Sequence, residues 1–283
     1  MKVGVLTGTG TYALAEDGGG PEIVSTRWGD ALVARALRGE VEVLHVSRHE
    51  EGHQRLSNHI RHRANIAALS ELGADCVLAV TVCGAVDRSL PLGSLVVFDD
   101  LHFLSNRLSD GELCTFYDAP GDRLRGHWIY DDPFSAGLRR VLLDACIDAG
   151  MPARDGGVYG HVDGPRFNTR AEIRSLALAG VAAVSQTAGP ETVLCGEAEL
   201  PYALLGYATD YANGVAEEPT HRHGASRAEV DHPAARRVPV GARALDVGVV
   251  LVGEVRAVQV HQLDVRRGDD ARVLTRVLVR LEG

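Results

Sequence analysis

At 283 residues, 45% hydrophobic and 24% charged, the chain carries enough apolar surface for a large core, in one large α/β domain or two small ones. A net charge of −9 without a local basic stripe excludes a nucleic-acid surface, and no apolar run reaches the about 18 residues of a membrane-spanning helix. The N-terminus lacks a charged-then-apolar leader, so a cytoplasmic protein is expected. Five cysteines without a CxxC pair point to reduced, buried thiols, with no zinc site and no disulfide framework. Lys2 is the single lysine, which excludes Walker-type and Schiff-base chemistry.

Val3–Leu6 reads as a short strand running straight into Thr7-Gly-Thr-Gly-Thr11. Gly8-x-Gly10-x-x-Ala13 formally matches a dinucleotide fingerprint, but Gly18-Gly-Gly-Pro21 stops the helix that such a fold needs. A hydroxyl-bearing glycine turn is better read as a nest for a small oxyanion, and it also reads as a plain tight turn. Val41–Val46, the next strand, delivers Arg48, His49 and His53 to the ligand-binding edge of an α/β sheet. Arg48 suits phosphate, because its planar fork donates to two oxygens at once. The histidines of this region lack HExxH spacing, so no metal is expected.

Helical periodicity covers Asn58–Leu72 and ends at Gly73. Cys76–Val82 is apolar almost throughout, as a strand covered on both faces should be, and brings Thr81 to the same edge. After a strand at Leu95–Phe98, the polar segment Asp99–Asp122 reads as a functional loop or lid. Pro133–Ala149 is a helix with Phe134, Leu138, Leu142 and Ala145 inward.

The stretch Gly160–Glu191 carries the most information. A rigid Gly164-Pro165 corner presents Arg166 and Phe167, and Thr169-x-x-Glu172 has capping-box spacing. The strand Val181–Val184 then yields to Ser185-Gln186-Thr187 and a helix beginning near Pro190-Glu191. Hydroxyls and free N–H groups converging where a strand gives way to a helix favour an anion. Glu191–Glu199 is helical, and the strand Tyr202–Thr209 ends in Asp210. That carboxyl is a candidate proton handler in a partly closed pocket, and equally a surface Asp opening a turn. No Phe, Tyr or Trp follows Tyr211. Val247–Val260 has strand propensity, and the last dozen residues are compatible with a helix.

Taken in order, these motifs resemble the trimeric purine nucleoside phosphorylase and methylthioadenosine phosphorylase family. The resemblance runs from about residue 3 to about 215. It rests on the Gly8-Thr-Gly10 turn, Ser47-Arg-His49, Arg63-Ala-Asn65-Ile, Thr81-x-Cys-Gly84, Thr115-Phe-Tyr-Asp118, Gly164-Pro-Arg-Phe167, Thr169-x-Ala-Glu172, Pro190-Glu191 and Thr209-Asp-Tyr211. It implies an α/β domain with a central mixed β-sheet flanked by helices over residues 1–218, followed by a divergent segment, 219–283.

The resemblance also implies a homotrimer that cleaves a purine nucleoside with inorganic phosphate as co-substrate and no cofactor. Thr9, Arg48, His49, Thr81 and Thr187 match the phosphate site. Phe167 matches the ring that stacks on the base, Asp210 the group that hydrogen-bonds the purine, and His127 a histidine that reaches a neighbouring subunit's site. Gln186 stands where the family usually has Met beneath the ribose, and Ala212 where adenine-specific members carry a second acid. Asp at position 210 favours 6-aminopurines, so 5′-methylthioadenosine or a similar 5′-modified adenosine is the expected substrate. A 6-oxopurine nucleoside is the alternative, and a catalytically silent nucleoside-binding protein is the non-enzymatic one.

Overall fold

The structure, a computed structural model, describes residues 1–9, 20–122, 130, 132–216 and four short strands between 257 and 280. In chain order come β1 (Lys2–Thr7), β2 (Glu22–Thr26), β3 (Gly29–Arg38), β4 (Val41–Ser47), α1 (His62–Glu71), β5 (Cys76–Ala85), β6 (Leu95–Val97) and β7 (Asp100–His102). They are followed by α2 (Ala136–Asp148), β8 (Ala153–Asp155), β9 (Val158–His161), α3 (Arg170–Leu178), β10 (Val181–Ser185), α4 (Ala188–Glu197) and β11 (Tyr202–Tyr211). These strands form one mixed, 11-stranded sheet in the order β2-β3-β4-β1-β5-β10-β9-β7, with β11 paired to β5 and β6, and β6 to β8. The expected central mixed sheet is therefore present.

The sheet forks at β5. Its first half is parallel to β1, with Leu6 level with Ala79, while its last two residues pair antiparallel with β10, Val184 opposite Gly84. β1 thus leaves β5 just before Thr81, and β10 enters just after it. A crevice must open there, at the ends of β1, β4, β10 and β11, where open sheets bind ligands.

Both faces of the fork are buried. On one side Leu6, Leu44, Val46 and Leu204 pack with Ile66 and Leu69 of α1 and Leu194 of α4. On the other, Val5, Val43, Val97 and Leu205 pack with Leu138 and Leu142 of α2. Phe134, Leu138, Leu142 and Ala145 are all buried, as the helical period requires. Among the described residues no helix is long and apolar enough to cross a membrane.

Several boundaries differ from the sequence reading for local reasons. Helix α1 starts at His62, because Ser57–His59 is a separate 3₁₀ turn and Ile60 is extended. Helix α2 starts at Ala136, where the Ser135 side chain accepts from the Leu138 N–H. α3 has the full capping box that the Thr169–Glu172 spacing predicts. The β2–β3 hairpin has no counterpart in the sequence reading.

Among the described residues, the segment after β7 makes no further helix or strand before α2, but it is anchored to the body. Arg63 donates to the Leu113 and Thr115 carbonyls, both at 2.8 Å, and Glu197 accepts from the Thr115 hydroxyl and the Phe116 N–H. In the tail, the helix expected over the last dozen residues is replaced by strands. β12 (Ala257–Val260) pairs with β15 (Val277–Arg280), and β13 (Leu263–Val265) with β14 (Arg272–Leu274), all antiparallel. Val277 and Val279 are β-branched, which favours a strand over a helix there. The boundary expected at 218/219 lies outside the described residues.

Candidate active site

Arg48 leaves the end of β4 and turns inward, where its side chain is fully buried. Nε and Nη2 donate to the two carboxylate oxygens of Glu191 on α4, at 2.5 and 2.8 Å, and Nη1 donates to the Val80 carbonyl at 2.7 Å. Burial works against the guanidinium charge, but the facing Glu191 carboxylate outweighs it and raises the arginine pKa above its ordinary value. Tyr202 OH donates to the same carboxylate at 3.0 Å. A guanidinium has five N–H groups, and three are committed, so two remain for an oxyanion.

His49 lies beside Arg48. Its Nδ1 donates to the Arg55 carbonyl at 2.8 Å, which leaves Nε2 as the bare nitrogen of the neutral ring. Burial lowers its pKa to about 4; the Arg55 carbonyl bond opposes that shift, and His53 and Arg48 add to it. Gly8, just past β1, lies against both groups. A Cβ there would sit 3.4 Å from Arg48 Nη1 and 3.7 Å from His49 Nε2, so a side chain would begin to fill the space they face. Thr9, next in the chain, is exposed.

The hydroxyls form a second group. Thr81 Oγ1 lies 3.1 Å from Ser185 Oγ and 3.4 Å from Thr187 Oγ1. Thr187 is the N-cap of α4, yet its side chain makes no capping bond and turns to Thr81 instead. The two groups are joined in the chain: Arg48 bonds the carbonyl preceding Thr81, and Glu191 lies one helical turn beyond Thr187. Arg48, His49, Thr81 and Thr187 therefore converge, with Gly8 closing one side.

The expectation of free N–H groups at the start of α4 is corrected. The Ala188 N–H donates to Tyr159 OH at 3.1 Å and the Gly189 N–H to His161 Nδ1 at 3.3 Å. An anion here meets hydroxyls and the guanidinium instead. His161 comes so close that a Cβ on Gly189 would sit 2.5 Å from its ring. Next to it His62 is fully buried; neither of its ring nitrogens has a hydrogen-bond partner among the described residues, and Nδ1 lies 3.9 Å from Glu191. Burial, with a contribution from Arg48, lowers the pKa of His62 to about 3, and burial with His62 does the same to His161.

Asp210 stands further along the crevice. The pairing of β11 with β5 shifts register between Ala208 and Asp210, a bulge at Thr209 that places Asp210 level with Gly84. Thr209 Oγ1 donates to Asp210 Oδ1 at 2.7 Å, and Oδ2 would lie 3.5 Å from a Cβ on Gly84. Phe167 projects from the corner before α3, 72% exposed. Gln186 lies between the corner and the hydroxyl group, bonded to Ser57 and to the Arg166 carbonyl. His127 falls outside the described residues. Glu191, Ser185, Tyr202 and Ser57 carry structural roles here that the residue-by-residue reading did not assign. The Pro190-Glu191 pair was the visible signal for the first of them, an acid one turn into a helix that starts among hydroxyls.

Residues 2–241 match the family described as the Phosphorylase superfamily, a span that passes the boundary expected at 218/219. A 6-oxopurine nucleoside phosphorylase of Pyrococcus furiosus is 32% identical over 219 residues, 76% of this chain and 81% of that protein. An S-methyl-5′-thioadenosine phosphorylase of Xenopus tropicalis is 33% identical over 217 residues, 75% of this chain and 76% of that protein. Among solved structures, methylthioadenosine phosphorylase from Schistosoma mansoni in complex with adenine aligns with a TM-score of 0.71 at 27% identity, over 89% of this chain and 92% of that one.

Proposed function

Because this chain belongs to the phosphorylase superfamily, we propose that it cleaves the N-glycosidic bond of a purine nucleoside with inorganic phosphate, giving the free purine and a sugar 1-phosphate. The observation that carries the reading is the convergence of Arg48, His49, Thr81 and Thr187 on one crevice, with Asp210 further along it. A phosphate oxygen attacks C1′ while the C1′–N9 electrons pass to the purine. Arg48 and the hydroxyls hold the anion against the cation-like sugar without bonding it covalently. Asp210 shares the proton that neutralises N7 of the departing base. Phe167 stacks on the purine, Gln186 borders the ribose, and Thr9 and His127 complete the phosphate and sugar sites. No cofactor takes part.

The substrate we favour is 5′-methylthioadenosine or a similar 5′-modified adenosine, since a carboxylate at 210 accepts from an exocyclic 6-amine. A second reading, a 6-oxopurine nucleoside, draws support from the relative of that name in Pyrococcus furiosus and from Ala212. The active unit is a cytoplasmic homotrimer. Base release from methylthioadenosine, methylthioinosine, adenosine and inosine, each with and without phosphate, tests the whole reading. Release from methylthioadenosine that depends strictly on phosphate is expected. Turnover confined to inosine and methylthioinosine would install the second reading, and no phosphate-dependent release would end both. Light scattering on the pure protein checks the trimer.

A further inference from the structure

The amide of Gln186 is fixed at both ends. Ser57 Oγ donates to Oε1 at 2.7 Å, and Nε2 donates to the Arg166 carbonyl at 3.2 Å. A backbone carbonyl only accepts, so the NH₂ group must face Arg166 and the oxygen must face Ser57. The chain of bonds continues outward, because Ser109 Oγ donates to the Ser57 carbonyl at 3.1 Å. Gly164 closes around the pair, since a Cβ there would collide with Gln186 Oε1 and Ser57 Oγ. One amide thus ties together three segments: the turn after β4, the segment after β7, and the corner ahead of α3. That corner has a second clamp on its outer side, where Arg166 grips Glu172 through two nitrogens at 2.7 and 2.9 Å. Phe167 is 72% exposed, and the backbone of that corner sets where its ring leaves the chain.

We propose that Gln186 is a positioning residue for the purine: by bridging Ser57 and the Arg166 carbonyl it sets the corner that presents Phe167, and it acts through that corner instead of on the reacting atoms. The proposal rests on the phosphorolysis reading and on Phe167 as the base platform. The amide is required because it is donor and acceptor at once. Methionine offers neither group. Glutamate keeps the shape and the Ser57 bond but sets an acceptor against the Arg166 carbonyl.

The test varies nucleoside and phosphate independently for the wild type, Gln186→Glu, Gln186→Met and Ser57→Ala, and adds calorimetric titration with adenine in the presence of phosphate. Gln186→Glu should raise the nucleoside KM and the adenine Kd by roughly tenfold, and Ser57→Ala by roughly threefold, the scale of one lost hydrogen bond. The phosphate KM should stay within about twofold, since Arg48 and Thr81 take no part in the bridge. Gly164→Ala reaches the same contact from the opposite side and should reproduce the nucleoside effect. An unchanged nucleoside KM in Gln186→Glu would overturn the proposal, and so would a phosphate KM rising in step, the mark of general damage to the turn. A wild type that binds adenine but releases no base would sink the phosphorolysis reading alone, leaving the adenine Kd series to judge the bridge. A wild type without turnover or adenine binding would remove both.

Discussion

In the proposed site Arg48 would meet phosphate with its charge already balanced, because Glu191 lies against two of its nitrogens. What it would offer phosphate there is direction more than net charge: two N–H groups left over from a fork held rigid on its other side. Lysine cannot imitate this, since a single ammonium must choose between the carboxylate and the ligand. Arg48→Lys should raise the phosphate KM by about a hundredfold or more while the nucleoside Kd moves little, a split visible in two-substrate kinetics. Asp210 should behave in the opposite way. Asp210→Ala should lower kcat by about 10²–10⁴, the usual worth of a positioned acid, and leave the phosphate KM near its wild-type value. Asp210→Asn exchanges an acceptor for an amide, so the kcat/KM ratio of methylthioinosine over methylthioadenosine should rise. An unaltered ratio would detach position 210 from base choice.

At the scale of elements, α4 is seated as much by His161 as by its own sequence. The imidazole accepts the Gly189 N–H and fills the space where a Cβ would go. Gly189→Ala should destabilise the fold by about 1–3 kcal/mol through overpacking. Adding His161→Ala should restore part of that loss, a coupling that a double-mutant cycle of thermal melts measures directly. Additive losses would show that the two do not share the space. This pairing also marks how far the sequence could be read. The apolar runs of β1, β4, β5 and β11 were legible, and with them the polar residues Thr7, Arg48, Thr81 and Asp210 that they carry, although β5 runs on past Thr81 to Ala85 and β11 past Asp210 to Tyr211. The capping box of α3 was legible because both of its residues are local. Partnerships across the chain were not: Arg48 and Glu191 are 143 residues apart, and nothing in either neighbourhood names the other. The β2–β3 hairpin escaped because β2 is largely exposed and β3 buries only Ala31 and Val33, and the tail because Val and Leu in so short a stretch suit a strand as well as a helix.

Across the described residues, His45, His49, His62 and His161 are buried, and burial holds all four in the uncharged form. Burial, with Arg48 adding to it, lowers His45 and His62 to about 3; burial with His62 lowers His161 to about 3, and burial lowers His49 to about 4. In the unfolded chain each returns to about 6.5, so below that pH the unfolded state binds protons that the native state refuses. The stability these groups contribute is complete above pH 6.5 and is lost as pH falls, until it is exhausted near their folded values. Each histidine yields a slope of up to about 1.4 kcal/mol per pH unit, so the four together remove about 5 kcal/mol between pH 6 and pH 5. Against a typical reserve of about 5–15 kcal/mol, that removes about a third or more of the stability by pH 5. Thermal melts by circular dichroism from pH 8 to pH 4.5 should show a flat Tm above pH 7 and a steep fall below pH 6. His62→Gln, which removes the least satisfied ring, should shallow the fall by about a quarter. A Tm that declines no faster below pH 6 than above it would mean these rings take up protons within the folded state. The interior would then be wet, and the Arg48–Glu191 pair with it.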